Sequence, residues 1–355
     1  MTEFWTLHDI AAAARNTFSK GDWDFIVGGT ETETTLRRNR AALDALALRP
    51  RVLRDVSSVD CTAESFGQRL RLPVFLAPIG RQEYGGGPAT AAAAAAEFGC
   101  GFMFSSVNGQ ASLEEVTDVG PKGATVYQLY VRGDRDWVKR ELDRAVALGC
   151  PAFCVTVDTP VISRRERDLN SRFTSDRRRH FQGAEWQASF NWSDIAELRK
   201  ACPIPLIVKG IQDCADALIA IDHGVDVIYI SNHGGRQTDH TLGSIDVLRE
   251  TAEAVQGRAK LYVDGGFLRG SDIVKAKAAG ADMIGIGKLF CLALGAGGKP
   301  AVLRMLEILE EEVLLCLSLI GARSYDELSP DSLREARLVP GGPDLVSAFP
   351  SLAQV

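Results

Sequence analysis

Eight short apolar runs, each followed by a stretch able to form a helix, constrain what this chain can fold into more than any other feature. They are Leu72–Ala77, Gly101–Ser105, Thr125–Tyr130, Ala152–Val157, Pro205–Lys209, Asp226–Ser231, Lys260–Asp264 and Met283–Gly287. Several are apolar at nearly every position, as in Leu206-Ile207-Val208 and Val227-Ile228-Tyr229-Ile230. Continuous apolarity of that kind suits parallel strands covered on both faces. The intervening stretches carry helix signals. Ser244 is placed to cap a helix whose stripe is Val247, Leu248, Ala252 and Val255, and Gly257 falls where a left-handed residue ends one. Eight β-then-α units predict an α/β fold, a closed (β/α)8 TIM barrel, with an open doubly wound sheet as the alternative.

The runs start 21 to 34 residues apart, except between the fourth and fifth, where the gap is 53. The excess is expected to be a lid loop over about 161–192, holding arginines 164, 165, 167, 172, 177, 178 and 179. Such a loop can close over an anionic ligand or be a solvated charged surface. Residues 1–70 are expected to be an N-terminal helical segment that plugs the barrel, 71–320 the barrel, and the tail irregular. No Pro-, Ser- or Gly-rich linker divides the chain, so 1–355 is expected to be one domain. A barrel absorbs that length readily.

With 46% apolar and 24% charged residues the composition is ordinary for a soluble globular protein. The net charge of −6 argues against general nucleic-acid binding and favours a small-molecule partner. Eight scattered cysteines without a C-x-x-C pair read as small core residues in a reducing compartment, with no metal site expected. Glu3, Asp9, Arg15 and Lys20 interrupt the first residues, so a signal peptide is not expected, nor a membrane span; the expected location is cytoplasmic.

In such a barrel, chemistry sits at the C-terminal ends of the strands. In order these ends read Ala77-Pro78, Ser105-Ser106, Gln128 with Tyr130, Thr156 with Asp158, Lys209, Ser231-Asn232-His233, Asp264-Gly265-Gly266 and Gly287-Lys288. The last two sets, with Gly285, lie where barrels commonly bind phosphate, and Arg269 or Lys288 can add charge. His233 is the one histidine directly at a strand end, and Arg236 follows three residues on. An imidazole beside a guanidinium suggests proton abstraction from a carboxylate-bearing substrate. Asp158 could stabilise the imidazolium as it forms. Lys209 closes an apolar strand, where an ammonium is costly unless it meets negative charge.

Ser231-Asn232-His233-Gly234-Gly235-Arg236-Gln237, with Gln128-Leu129-Tyr130, Thr156-Val157-Asp158-Thr159-Pro160, Arg164-Arg165-Glu166, Val208-Lys209-Gly210 and Asp264-Gly265-Gly266, resembles the FMN-dependent 2-hydroxy acid oxidases and dehydrogenases. That group contains glycolate oxidase, lactate oxidase, mandelate dehydrogenase and the flavin domain of flavocytochrome b2. The resemblance runs from Trp23 to about Leu328. It implies His233 as the base, Asp158 as its partner, Arg236 and Arg165 on the substrate carboxylate, and Tyr130 near the reacting hydroxyl. It further implies FMN held by Lys209, Ser105, Gln128, Thr156 and Ser231 at the ring, and by Asp264 with Gly265, Gly266 and Gly287 at the ribityl phosphate. Pro78, Ile79 and Gly80 would lie near the flavin face. Oxygen, a quinone or a carrier protein would accept the electrons, and a homo-oligomer, often a tetramer, is expected.

Five positions depart from that pattern. Phe25 replaces a substrate-binding tyrosine, removing a hydrogen bond worth about 1.5–3 kcal/mol to a charged group. Val107 replaces a frequent tryptophan and would widen the pocket. Leu268 and Lys288 stand in place of two arginines, leaving Arg269 and a lysine that lacks the bidentate fork. Arg81 adds a cation after Gly80. The expected reaction is therefore FMN-dependent oxidation of a 2-hydroxy acid bulkier than glycolate, mandelate-like or of medium chain. The alternatives are a biosynthetic tailoring oxidase of another carbinol or an amine, and a flavoprotein retained only for binding.

Overall fold

A computed structural model describes residues 4–80, 82–172, 183–337 and 344–349. Arg81 and arginines 177, 178 and 179 lie outside the described residues. The eight apolar runs form a closed parallel barrel: β4 (Val74–Leu76), β5 (Gly101–Ser105), β6 (Thr125–Leu129), β7 (Phe153–Thr156), β8 (Leu206–Ile211), β9 (Val227–Ile230), β10 (Lys260–Val263) and β11 (Met283–Ile286), with β11 pairing back onto β4. Their continuous apolarity has the expected cause. Alternate residues, such as Phe75, Met103, Cys154, Ile207, Val227, Tyr229 and Tyr262, fill the barrel interior, while Ile228, Ile230 and Val208 pack outward against the helices.

The first 70 residues differ from the expected helical plug. The helices Leu7–Thr17, Lys20–Val27 and Thr34–Asp44 are present, but the last two supply Phe25, Ile26 and Leu36 to a cavity at the strands' C-terminal ends. The opposite end is closed by a hairpin of β2 (Ala63–Ser65) and β3 (Gln68–Leu70). Its two-residue turn, Phe66-Gly67, is left-handed at both positions, as the tightest hairpins require. Phe66 caps the interior aromatic cluster, and the Ser65 and Tyr262 hydroxyls lie 2.8 Å apart.

The tail also has more structure than expected. Beyond the last barrel helix, Lys288–Ile320, which bends at Gly297-Gly298, β12 (Leu333–Glu335) pairs antiparallel with β1 (Leu46–Leu48). Ser244 does not cap the helix it begins. Gly243 holds that place, and Gln256, left-handed, ends the helix ahead of Gly257. Among the described residues, no helix is long and apolar enough to cross a membrane.

Candidate active site

A cavity of about 520 Å³ opens at the C-terminal ends of the strands. The turn after β9 is its centre. His233, Gly234 and Gly235 are all left-handed, with φ of 56, 65 and 73°. For a non-glycine residue that conformation costs roughly 1–2 kcal/mol, so the surroundings must impose it. They do so by hydrogen bonds: His233 N–H donates to Ser231 Oγ at 3.1 Å, and Gly235 N–H to the Asn232 carbonyl at 3.0 Å. A reciprocal amide pair joins Asn232 to Asn39 at 2.9 and 2.7 Å, tying the turn to helix Thr34–Asp44. A side chain on Gly235 would meet the Leu36 backbone nitrogen at 2.5 Å, so only glycine permits this approach.

His233 Nδ1 lies 3.0 Å from Asp158 Oδ1 and 3.2 Å from Oδ2. Nδ1–H therefore donates to the carboxylate, leaving Nε2 as an acceptor, and the Tyr130 hydroxyl donates to it at 3.3 Å. Burial pushes the imidazole pKa below its ordinary value, although Asp158 pulls it up; the ring is neutral at neutral pH. Burial pushes the Asp158 carboxyl up, but His233 and Lys209 outweigh that and hold it low and ionised. The pair can exist because β8 is bulged between Lys209 and Ile211. The bulged residue, Gly210, has φ of 110°, and a Cβ there would stand 2.6 Å from the Asp158 Cβ.

Arg236 Nη1 donates to the carbonyls of Phe25 and Gly28, the latter at 2.9 Å. Its guanidinium stacks 4.6 Å from the Phe25 ring centroid, and its Nη2 is buried without a hydrogen-bond partner. Burial lowers the Arg236 pKa, and the charge of Asp168 is the main influence opposing that. Arg165 Nε donates to Ser163 Oγ at 3.2 Å and to the Arg236 carbonyl at 3.1 Å, and Nη2 to Gln237 at 3.3 Å. Both guanidiniums line the cavity with His233, Tyr130, Lys209, Phe25, Val107, Pro78, Ile79 and Gly80.

Below them lies a buried polar set. Lys209 Nζ donates to Ser231 Oγ at 2.7 Å and lies 3.4 Å from Asp264. Ser231 donates to Asp264 Oδ1 at 2.6 Å, and Tyr229 to Oδ2 at 2.7 Å. Burial pulls the Lys209 pKa down, but Asp264 and Asp158 raise it, so the ammonium persists. Asp264 is thus turned towards Lys209, Ser231 and Tyr229, where the sequence suggested a role at phosphate.

Gly265, Gly266, Leu268, Gly287 and Lys288 line the far side of the cavity. Lys288 is the first residue of its long helix, whose N-cap, Gly287, supplies no side-chain cap. Such a helix start presents backbone N–H groups to an anion. Arg269 is not brought to this wall: it pairs with Glu312 and donates to the Ala348 carbonyl at 3.5 Å. Of the expected lid's described arginines, Arg165 is on the cavity wall and Arg164, Arg167 and Arg172 are not; Arg164 pairs with Glu166 and Arg167 with Glu33, at 2.7 and 2.6 Å.

Three wall or wall-supporting groups escaped the sequence reading. Arg132 and Gln187 line the cavity, and buried Asp168 opposes Arg236. Gln187, from the short helix Ala184–Ser189, accepts from Val131 N–H at 2.7 Å and donates to the Thr156 carbonyl at 2.9 Å, docking the loop onto β6 and β7. Its sequence neighbourhood gives no pattern that marks it. Asp168 had a weak signal, as an acid among the loop's arginines.

Fold and site together define a (β/α)8-barrel enzyme whose cavity sets a histidine base beside two guanidiniums. Residues 14–335 match the FMN-dependent dehydrogenase family, and the chain belongs to it. It is 37% identical over 349 residues to 2-hydroxyacid oxidase 2 of Rattus norvegicus, covering 94% of this chain and 99% of the relative. To L-lactate oxidase of Nostoc sp. it is 34% identical over 355 residues, covering 92% and 97%. Mandelate oxidase solved with benzoyl-formic acid superposes with a TM-score of 0.86 at 34% identity, covering 95% of this chain and all of that one.

The residues present fit FMN. Ser105 Oγ, both side-chain heteroatoms of Gln128 and Thr156 Oγ1 are buried at the ends of three neighbouring strands and have no partner. Each such atom costs roughly 1–3 kcal/mol if left unmatched, and the polar edge of a flavin ring can match all of them.

Proposed function

We propose that this protein oxidises a 2-hydroxy acid bulkier than glycolate, with an aromatic or medium-length apolar side chain, to the 2-oxo acid. One observation carries the reading: the neutral imidazole Nε2 of His233 and the guanidiniums of Arg165 and Arg236 face a single cavity. A carboxylate held by Arg165 and the unpartnered Nη2 of Arg236 would present its α-hydroxyl to His233 and Tyr130. His233 Nε2 takes the hydroxyl proton, and Asp158 stabilises the imidazolium that results. Tyr130, its pKa raised by burial, stays a neutral phenol and donates to the substrate oxygen.

When bound, FMN supplies the two-electron acceptor. Ser105, Gln128, Thr156, Lys209 and Ser231 would hold its ring, and Gly265, Gly266, Gly287 and Lys288 its phosphate. Lys209, kept cationic by Asp264, offsets negative charge beside it. The size preference is supported by the rest of the wall, where Phe25, Val107, Pro160, Val161, Ile162 and Ala184 offer apolar surface to a side chain. The oxidases among the relatives support oxygen as the acceptor.

Anaerobic mixing with glycolate, lactate, 2-hydroxyoctanoate and mandelate tests the proposal. We expect flavin bleaching by the last two with kcat/KM at least about tenfold above glycolate, a difference of 1.4 kcal/mol, and recovery of colour on admitting oxygen. Faster bleaching by glycolate would refute the size preference, and no bleaching by any of them the substrate class.

A further inference from the structure

We propose that Tyr229 is a positioning residue that sets how strongly Lys209 stabilises negative charge on the bound flavin. This rests on the reading that Lys209 faces the flavin ring.

Tyr229 lies inside the barrel, fully buried, one layer beneath the cavity, with its ring packed edge-on against Phe75 at 5.5 Å. Strand alternation makes the position an interior one; an aliphatic residue would serve the core equally well. A phenol brings a hydroxyl that must find a partner, and it finds the carboxylate that neutralises Lys209. The Tyr229 hydroxyl donates to Asp264 Oδ2 at 2.7 Å, and the same oxygen lies 3.4 Å from Lys209 Nζ. The ammonium also sits 4.8 Å from the centre of the Tyr229 ring. Space is reserved for this contact, since a Cβ at Gly285 would come within 2.5 Å of the hydroxyl.

The consequence is electrostatic. Asp264 and Lys209 form a buried, nearly neutral pair, and the field that reaches the cavity depends on how completely each cancels the other. A hydroxyl donated to Oδ2 draws charge from the carboxylate on the side facing Lys209. The ammonium is then less fully compensated and held by Ser231 instead, at 2.7 Å. Without the hydroxyl, Oδ2 would be left buried with one donor fewer, and Lys209 would move to satisfy it.

Tyr229→Phe in the FMN-loaded protein tests this with sulfite, a nucleophile that adds to the flavin and leaves its ring anionic. The sulfite dissociation constant is expected to rise about tenfold, equivalent to a fall of about 30 mV in the two-electron potential of the flavin, with FMN retained and the melting temperature within a few degrees of the parent. An unchanged sulfite affinity, or outright loss of FMN, overturns the assignment of Tyr229. Absence of a sulfite adduct in the parent protein would overturn the placement of Lys209 at the flavin as well, which separates the two failures.

Discussion

At the scale of single residues, the site depends on a tautomer. Asp158 fixes the proton on Nδ1 of His233 and thereby leaves Nε2 bare towards the cavity. The same carboxylate raises the imidazole pKa against the stronger downward pull of burial. Two effects of Asp158→Asn follow from this. Losing the counter-ion for the imidazolium should slow flavin reduction by about 10²–10⁴-fold. Since the ring is active when neutral and Asp158 was holding its pKa up, the acid limb of the pH–rate profile should move to lower pH. Stopped-flow reduction across the pH range reads both, and a limb displaced upward would contradict the assignment. Phe25 is a second case in which one side chain does two things. The hydroxyl of the expected tyrosine is gone, yet the ring and carbonyl of Phe25 orient Arg236.

At the scale of elements, the bulge in β8 is what brings the base and its partner together. Gly210→Ala puts a Cβ at a left-handed φ of 110° and 2.6 Å from Asp158. We expect the barrel to fold and bind FMN, with flavin reduction at least about a hundredfold slower, as for a misplacement of roughly 1 Å; an alanine variant of parental rate would show that Asp158 does not need the space. Periodicity made the eight strands legible, because both faces of each are covered and the runs stand out from their surroundings. Strand-end position then made His233, Asp158 and Lys209 legible. The hairpin at Ala63–Ser65 and Gln68–Leu70 was missed because three-residue strands leave too few positions for alternation to register. Arg269 was misplaced for a different reason: an arginine's reach lets the ion pair with Glu312, far along the chain, decide its direction. Gln187 was illegible because its partners are backbone groups, which carry no residue identity.

At the scale of the whole molecule, the barrel alone does not make the site. One wall belongs to the segment before it, and Arg40 is a buried ionic anchor of that segment. Nearly fully buried, Arg40 bonds Asp272 with both terminal nitrogens at 2.6 and 2.8 Å, Asp44 at 2.7 Å and the Gly266 carbonyl at 3.1 Å. Arg40→Leu strands the Asp272 carboxylate in the interior, and breaking such a pair from one side costs about 3–5 kcal/mol. Urea unfolding should show that loss, together with weaker FMN retention because Gly266 lies beside the same guanidinium; a change below about 1 kcal/mol would place the anchor elsewhere. The antiparallel pairing of Leu46–Leu48 with Leu333–Glu335 adds a temporal dimension. On the ribosome, the earlier strand of that clasp must wait until all eight barrel units have been translated before its mate emerges. The wall bearing Phe25 and Leu36 can already reach Asn232, Gly266 and Asp272 by then, so a nascent chain stalled short of the clasp would hold a barrel whose mouth is in place but still lacks its final fastening.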